Sequence, residues 1–149
     1  MENKVLKSLA DEFSNIHLKS FNQKNLRFSS RFIFSLLINP QISYIYKKNK
    51  GFCIFSINKE DAEIITMAVV PKYQNQGIGF LILNELDEVL LKSNCKKVFL
   101  EVASNNLIAL HLYKKVGFRN FGITKNYYKI LKDKKVDAIL MKKVVNLQK

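Results

Sequence analysis

The sequence has no tryptophan and is poor in cysteine, proline and glycine, with two, two and five of them among 149 residues. Cys53 and Cys95 lack metal-ligand spacing and lie in apolar or strand-like surroundings. We therefore expect two reduced, structural thiols rather than a disulfide or a reactive pair. No stretch of biased composition indicates a linker, so one compact domain over residues 1–149 is the expected organisation.

Long apolar runs are also absent. No run approaches the roughly 20 residues that cross a bilayer, and the segment from Met1 to Lys4 does not begin a signal peptide. We expect a cytoplasmic protein that makes no membrane contact.

Acidic residues and arginine are scarce as well. Twelve Asp and Glu stand against 25 Lys and Arg, which gives a net charge of +13, and only Arg27, Arg31 and Arg119 are arginines. A polyanion would suit this charge, but Arg is the preferred residue for bidentate phosphate contacts, and the lysines are spread along the chain. Genome composition explains the charge better than a binding stripe does, and contact with ribosomal RNA through the basic surface stays open.

Apolar spacing and turn residues predict an α/β fold with a mixed sheet and helices on both faces. Ser29 or Ser30 and Asn106 are predicted N-caps, and Gly117 is predicted to end a helix in left-handed geometry. The predicted helices are 3–20, about 30–39, 78–93 and 106–117, and the predicted strands are 42–47, 52–57, 62–70, 97–102, 118–127 and 137–143. The residues expected to be buried in the second and third helices are Phe32, Ile33, Leu36 and Leu37, then Ile78, Leu81, Ile82, Leu86, Val89 and Leu90.

The most informative segment is the turn Gln-Asn-Gln-Gly-Ile-Gly at residues 74–79, which holds two of the five glycines. It lies between a predicted strand and a predicted helix. Glycine lets the backbone approach a ligand closely, and a helix N-terminus offers unpaired N–H groups at the positive end of the dipole. The turn therefore predicts a pyrophosphate site.

Two residues beyond the turn are candidates for chemistry. Glu101 interrupts an apolar strand, where burial without a cation would raise the pKa of its carboxyl toward that of a general base. Spacing alone slightly favours a solvated Glu at a strand end. Tyr113 is either a core tyrosine or a proton donor facing a cleft. His17 and His111 have no metal-ligand neighbours in sequence, so no metal site is predicted.

Together these features resemble the GCN5-related N-acetyltransferase (GNAT) family, which binds acetyl-CoA with a Gln/Arg-x-x-Gly-x-Gly/Ala turn. Gln74, Gly77 and Gly79 match that turn, and the segment 106–118 matches the later helix. Within the family the chain is most similar to the bacterial enzymes that acetylate the N-terminal alanine of a ribosomal protein. The segments that carry this likeness are Leu-Glu-Val at 100–102, Asn-Tyr-Tyr at 126–128 and Asp-Ala-Ile-Leu-Met at 137–141.

The resemblance implies a role for each matching residue. Glu101 would be the general base, and Tyr113 the general acid that protonates the departing CoA thiolate. The implied acetyl-CoA contacts are Met67, Ala68, Val69, Gln74, Asn75, Gln76, Gly77, Ile78, Gly79, Phe80, Asn106 and Tyr113. Tyr127 and Tyr128 would form a wall of the peptide site. A phenol near pKa 10 is a weaker acid than a thiol near 8.5, so full proton transfer is uphill by about 2 kcal/mol and we expect assistance only.

The implied acceptor is the N-terminal amine of a ribosomal protein. With a pKa of about 8, roughly one α-amine in ten is neutral at pH 7, against roughly one in 2,500 for a lysine. A basic enzyme repels a basic acceptor unless the pocket is locally acidic. Two departures concern specificity: residues 22–26 replace the family's Pro-Trp loop, and Phe80 stands where the family often has a basic residue.

Two other functions stay open. The acceptor could be the aminoacyl group of a charged tRNA, as in toxin-like acetyltransferases, for which a basic surface would be an advantage. Alternatively, the chain could be a non-catalytic module that binds CoA or nucleic acid, although the presence of both Glu101 and Tyr113 argues against this. We expect a monomer or a weak dimer.

Overall fold

A computed structural model describes residues 2–21, 28–131 and 134–146. The part of the chain that it describes contains four α-helices and six strands in the predicted order. These are α1 Glu2–Ser20, α2 Ser30–Leu37, β1 Ile42–Lys47, β2 Gly51–Asn58, β3 Asp61–Val69, α3 Ile78–Lys92, β4 Lys97–Ala103, α4 Leu107–Lys115, β5 Arg119–Leu131 and β6 Lys134–Val144. None of the described helices is long and apolar enough to span a membrane. The loop at 22–26 lies outside the described residues.

The six strands form one mixed sheet in the order β1-β2-β3-β4-β6-β5. Neighbouring strands are antiparallel except for β3 and β4, which run parallel at the centre. The predicted mixed α/β fold is therefore confirmed.

Two apolar layers cover opposite faces of this sheet. Helices α1 and α2 pack on one face through a cluster centred on Phe13, Ile33 and Phe52. Helices α3 and α4 pack on the other through a larger cluster that includes Leu86 and Tyr113. Cys53 and Cys95 are both free and buried, as predicted, because each fills a place in the larger cluster.

The predicted helix boundaries hold where a cap defines them. The hydroxyl of Ser29 accepts a hydrogen bond from the Phe32 amide at 3.1 Å, and the side chain of Asn106 accepts one from the Ala109 amide at 3.2 Å. Gly117 follows α4 with φ of +108°, the left-handed region that glycine adopts without strain. Each cap satisfies backbone groups that a helix end leaves unpaired.

Several details of the sequence prediction are wrong. Phe32 is 45% exposed and Leu81 is 53% exposed, because the apolar residues of α2 and α3 cover more than one face and the sheet buries another part of each helix. On α3 the buried set includes Asp87, whose carboxylate pairs with Lys143 on β6 at 2.5 Å. The last two strands are longer than predicted, since β5 continues to Leu131 and β6 begins at Lys134. Residues 132 and 133 of the predicted connecting loop lie outside the described residues.

Candidate active site

The central strands β3 and β4 pair over only a short register. Asp61, Ala62 and Glu63 lie opposite Lys97, Val98 and Phe99, and beyond these residues the two strands are not paired. If the two parallel strands stayed hydrogen-bonded along their whole length, their carboxyl ends would lie side by side. The sheet is therefore split between the two carboxyl ends, at the edge where open α/β sheets bind ligands.

The register of β3 shows which backbone groups face this split. The amide of Val70 donates to the Lys50 carbonyl, so Gly51 and Val69 form the next, non-hydrogen-bonded pair of the antiparallel ladder. By alternation, the N–H and C=O groups of Met67 and Val69 point away from β2, whereas those of Ala68 point toward it. Met67 therefore presents its backbone to the split, where none of the described strands pairs with it.

The carbonyl of Val69 is tied to both neighbouring segments. It accepts hydrogen bonds from the hydroxyl of Ser20 at 3.0 Å and from the side-chain amide of Gln74 at 2.9 Å. The first bond fixes the end of α1, and the second fixes the start of the glycine turn. Gln74, predicted as an acetyl-CoA contact, thus uses its amide to hold the turn against β3. Ser20 was not among the predicted site residues.

The glycine turn leaves its donors open. Gly77 is the N-cap of α3 with φ of +83°, no side chain caps the helix, and its first turn holds no acidic residue. Asn75 also has a positive φ, of 61°. A Cβ built on Gly77 would meet no atom within 4 Å, so open space lies beside this residue at the start of α3. Such a helix start is suited to an anion.

Gly79 serves packing rather than access. A Cβ at this position would lie 2.6 Å from Leu112 Cδ2 on α4 and 3.4 Å from Met67 Cε on β3. The missing side chain therefore lets α3 start directly against α4 and β3. Asn106 is another predicted acetyl-CoA contact, and its side-chain oxygen caps α4.

Tyr113 lies on α4 and points into the larger apolar cluster. It is buried, and its ring contacts that of Phe118 edge to face with 5.6 Å between centroids. Burial raises the pKa of the Tyr113 phenol, and the neighbouring Cys53 and Tyr128 raise it further. The hydroxyl therefore keeps its proton at any ordinary pH, as a hydrogen-bond donor and a weak acid.

Glu101 lies on the opposite face of the sheet. Its neighbours Leu100 and Val102 are buried in the larger cluster, so alternation turns Glu101 toward the face that carries α1 and α2. The carboxylate of Glu101 is therefore not buried, as a general base with a pKa raised by burial would require, but exposed. The charge of Glu101 is the chief cause of the raised pKa of Tyr127, so these two predicted site residues are neighbours.

Tyr127 lies in a bulge of β5, and Tyr128 is the first paired residue after it. The pairing with β6 shifts register between Thr124 and Tyr128, and Asn126 within the bulge has φ of 55°. The Asn126 amide donates to the Asp137 carboxylate at 2.9 Å, which holds the bulge. Bulges re-aim side chains beside functional sites. The two rings meet edge to face at 4.9 Å, and burial, then Glu101 and Tyr127, raise the pKa of Tyr128 to about 12.

The decisive comparison concerns the stretch that contains the split, the turn and Glu101. Residues 4–118 match the family model described as Acetyltransferase (GNAT) family. This chain is a GNAT acetyltransferase.

Individual GNAT relatives agree in sequence and fold. A Bacillus subtilis (strain 168) relative, provisionally named a ribosomal protein bS18-alanine N-acetyltransferase, is 33% identical over 119 residues, 77% of each chain. The Escherichia coli (strain K12) enzyme with that activity in its name is 36% identical over 94 residues, 63% of each chain. A crystal structure of the E. coli enzyme superposes with a TM-score of 0.81 at 25% identity, covering 95% of this chain and 91% of the other.

A structure with lower sequence identity shows the same fold with a bound ligand. Arabidopsis thaliana NAA60 in complex with acetyl-CoA superposes with a TM-score of 0.76 at 21% identity, covering 93% of this chain and 94% of the other. Because residues 4–118 match the family model, the resemblance inferred from the sequence is confirmed, and with it the acetyl-CoA co-substrate at the level of the family. In the described part of the chain, no group of three or more His, Cys, Asp or Glu forms a metal site.

The structure brings four of the predicted GNAT site residues into one region. Glu101, Tyr127, Tyr128 and Tyr113 form a continuous series of neighbours, since each influences the pKa of the next. Sequence reasoning missed Glu63, which alternation places on the same face as Glu101 and whose charge also raises the pKa of Tyr127. Only the β3–β4 register reveals it, because Glu63 pairs with Phe99 two residues before Glu101.

Proposed function

We propose that this GNAT domain, residues 1–149, transfers an acetyl group from acetyl-CoA to the N-terminal α-amine of a ribosomal protein in the bacterial cytoplasm. The observation that carries the proposal is the split between β3 and β4, which has open N–H donors at one end and Glu101 beside Tyr127 at the other. The names of the relatives, ribosomal protein bS18-alanine N-acetyltransferases, support this acceptor.

The residues at the split fit acetyl-CoA. The N–H groups of 78–80 would hold the diphosphate, because they are uncapped and open space lies beside Gly77. The backbone groups of Met67 and the N–H of Val69, which point away from β2, would bind the pantetheine arm as an added strand. When bound, acetyl-CoA supplies the thioester whose acetyl group is transferred.

The acceptor amine would enter from the side of the sheet on which Glu101 is exposed. Its nitrogen attacks the thioester carbon, so that a C–N bond forms and the C–S bond breaks. The amine proton passes to Glu101, directly or through water, since this carboxylate is exposed beside the split. An α-amine needs little help, because roughly one in ten is already neutral at pH 7.

Tyr113 would stabilise the leaving sulfur by hydrogen bonding. Because burial raises the pKa of its phenol, complete proton transfer to a thiolate is even less favourable than for a free tyrosine. The hydroxyl would therefore donate to the sulfur and keep its proton. An amide of β3 that faces the split would stabilise the negative charge on the carbonyl oxygen.

The charge around Glu101 suits a cationic acceptor. The chain carries +13 overall, yet Glu63 and Glu101 lie near each other, and none of the three ion pairs in the described ranges involves either residue. This arrangement meets the requirement for a locally acidic pocket in a basic enzyme. Acylation of aminoacyl-tRNA and a non-catalytic binding role are not favoured, since the named relatives point to a protein acceptor.

The proposal is tested by incubating the purified chain with labelled acetyl-CoA and either ribosomal proteins or aminoacyl-tRNA. Mass mapping of the products would then locate the acetyl group. We expect one ribosomal protein to gain a single acetyl group on its N-terminal amine, and no labelled aminoacyl-tRNA. Labelling of the tRNA instead, or acetylation spread over lysine side chains, would contradict the proposal.

A further inference from the structure

Helix α4 brings a lysine to the open end of the glycine turn. The Nζ of Lys115 lies 5.8 Å from the centroid of the Phe80 ring, within the range of a cation–π contact. Phe80 is the third residue of α3 and is 40% exposed, and Lys115 is the last residue of α4 and is also exposed. A cation from a distant part of the chain therefore stands beside the N–H donors of the turn.

The packing of the two helices fixes this arrangement. Leu112 lies so close to Gly79 that an added Cβ would approach its Cδ2 to 2.6 Å. Lys115 follows Leu112 by three residues, so the two side chains project from the same face of α4. Lys114 is two residues from Leu112 and projects elsewhere, although it too is exposed.

The charge of Lys115 is not neutralised nearby. None of the three ion pairs in the described ranges involves it, and the first turn of α3 holds no acidic residue. An exposed cation–π contact is weak, about 0.5–1 kcal/mol, whereas hydrogen bonds between charged groups are markedly stronger. A phosphate beside the turn would therefore draw the ammonium group of Lys115 away from the Phe80 ring. Alternatively, it would bind this ammonium group while the cation–π contact is kept.

We propose that Lys115, held against Phe80, is a binding residue for a phosphate of CoA, and that α4 supplies the cation that position 80 lacks. This inference rests on the proposed function, because it assumes that CoA binds at the turn. The shared chemistry is a phosphate group, either in the diphosphate or on the 3′ carbon of the ribose. The neighbouring Lys114 has no such role.

Calorimetric titration with CoA and with 3′-dephospho-CoA tests the proposal. For Lys115→Gln we expect the Kd for CoA to rise about fivefold to tenfold, whereas Lys115→Arg keeps the wild-type affinity. Lys114→Gln is the matched control and should stay within twofold. If Lys115→Gln also weakens the binding of 3′-dephospho-CoA, Lys115 contacts the diphosphate. If the variant and the wild type bind 3′-dephospho-CoA equally well, Lys115 contacts the 3′-phosphate.

Two further measurements separate this role from a general effect on the fold. The KM for S-acetylpantetheine, which has no phosphate, should be the same for Lys115→Gln and the wild type. In addition, Phe80→Arg in the Lys115→Gln background should restore affinity for CoA. An unchanged CoA affinity in Lys115→Gln, or an equal loss in Lys114→Gln, would overturn the inference. Failure of the wild-type chain to bind CoA at all would instead reject the proposed function.

Discussion

The two ends of the cleft are built in different ways. At the glycine turn the chain offers a ligand consecutive backbone N–H groups, and its side chains mainly hold the turn in place. At the proposed acceptor end the candidate groups are side chains from three strands, Glu63 on β3, Glu101 on β4 and Tyr127 on β5. The first end is encoded by local sequence, and the second depends on the register of the sheet. Substitutions should therefore separate cofactor affinity from acceptor chemistry.

The largest effect is expected at the acceptor end. Glu101→Gln removes the proposed base but keeps the size of the side chain. We predict that kcat falls about a hundredfold or more, while the Kd for acetyl-CoA stays within twofold. Steady-state kinetics with an N-terminal peptide and calorimetry with acetyl-CoA measure the two quantities. Glu88→Gln, exposed on α3, is the control. Equal turnover in both variants would remove Glu101 from the mechanism.

The complementary substitution breaks the cofactor end alone. Asp and Asn both tolerate the left-handed conformation of Gly77 and both cap helices well, so the fold should survive either change. The carboxylate of Gly77→Asp would repel the diphosphate, and we predict at least about a tenfold rise in the Kd for acetyl-CoA. Gly77→Asn should lose less affinity. Similar affinities in the two variants would show that no phosphate lies beside this residue.

Tyr113 lies between the two ends and gives a prediction for pH dependence. Because burial raises the pKa of its phenol, the hydroxyl stays protonated above the ordinary value near 10. The rate should therefore rise as the acceptor amine loses its proton near pH 8 and then stay level through pH 10. Tyr113→Phe should lower kcat about tenfold across this range. A wild-type rate that falls between pH 9 and 10 would disagree with a buried donor.

The smallest effect is expected for Glu63, which is exposed. We predict that Glu63→Gln raises the KM for a basic acceptor peptide about threefold at low salt, with no change in kcat. The difference should shrink at high salt and disappear for a peptide without cationic side chains. A loss that is the same for neutral and basic peptides would show that charge is not the reason.

The same division explains what the sequence predicted. Caps and periodicity are local, so the start of α2 at Ser29 and the end of α4 at Gly117 followed from residue type. The glycine turn was equally recognisable. The exposure of Phe32 and Leu81 could not be predicted, because a helix with apolar residues around much of its circumference does not reveal which face the sheet will cover.

Features that depend on the pairing of strands could not be predicted from the sequence. The bulge at Asn126 exists because Asp137 accepts its amide hydrogen bond from the neighbouring strand. The proximity of Glu63 to Glu101 depends on three residue pairs between β3 and β4. Contacts between distant elements, such as Lys115 against Phe80, arise only once α4 packs on α3. The assignment of roles to these residues remains a prediction.

The central claim is that one split in the sheet binds acetyl-CoA along its backbone, from Met67 to the glycine turn. Hydrogen–deuterium exchange of the full chain with and without acetyl-CoA tests it most directly. We predict that the cofactor slows exchange of the amides of Met67, Val69 and residues 78–80, while the exposed surface of α1 is unaffected. Unchanged exchange in both segments, with protection elsewhere, would contradict the account.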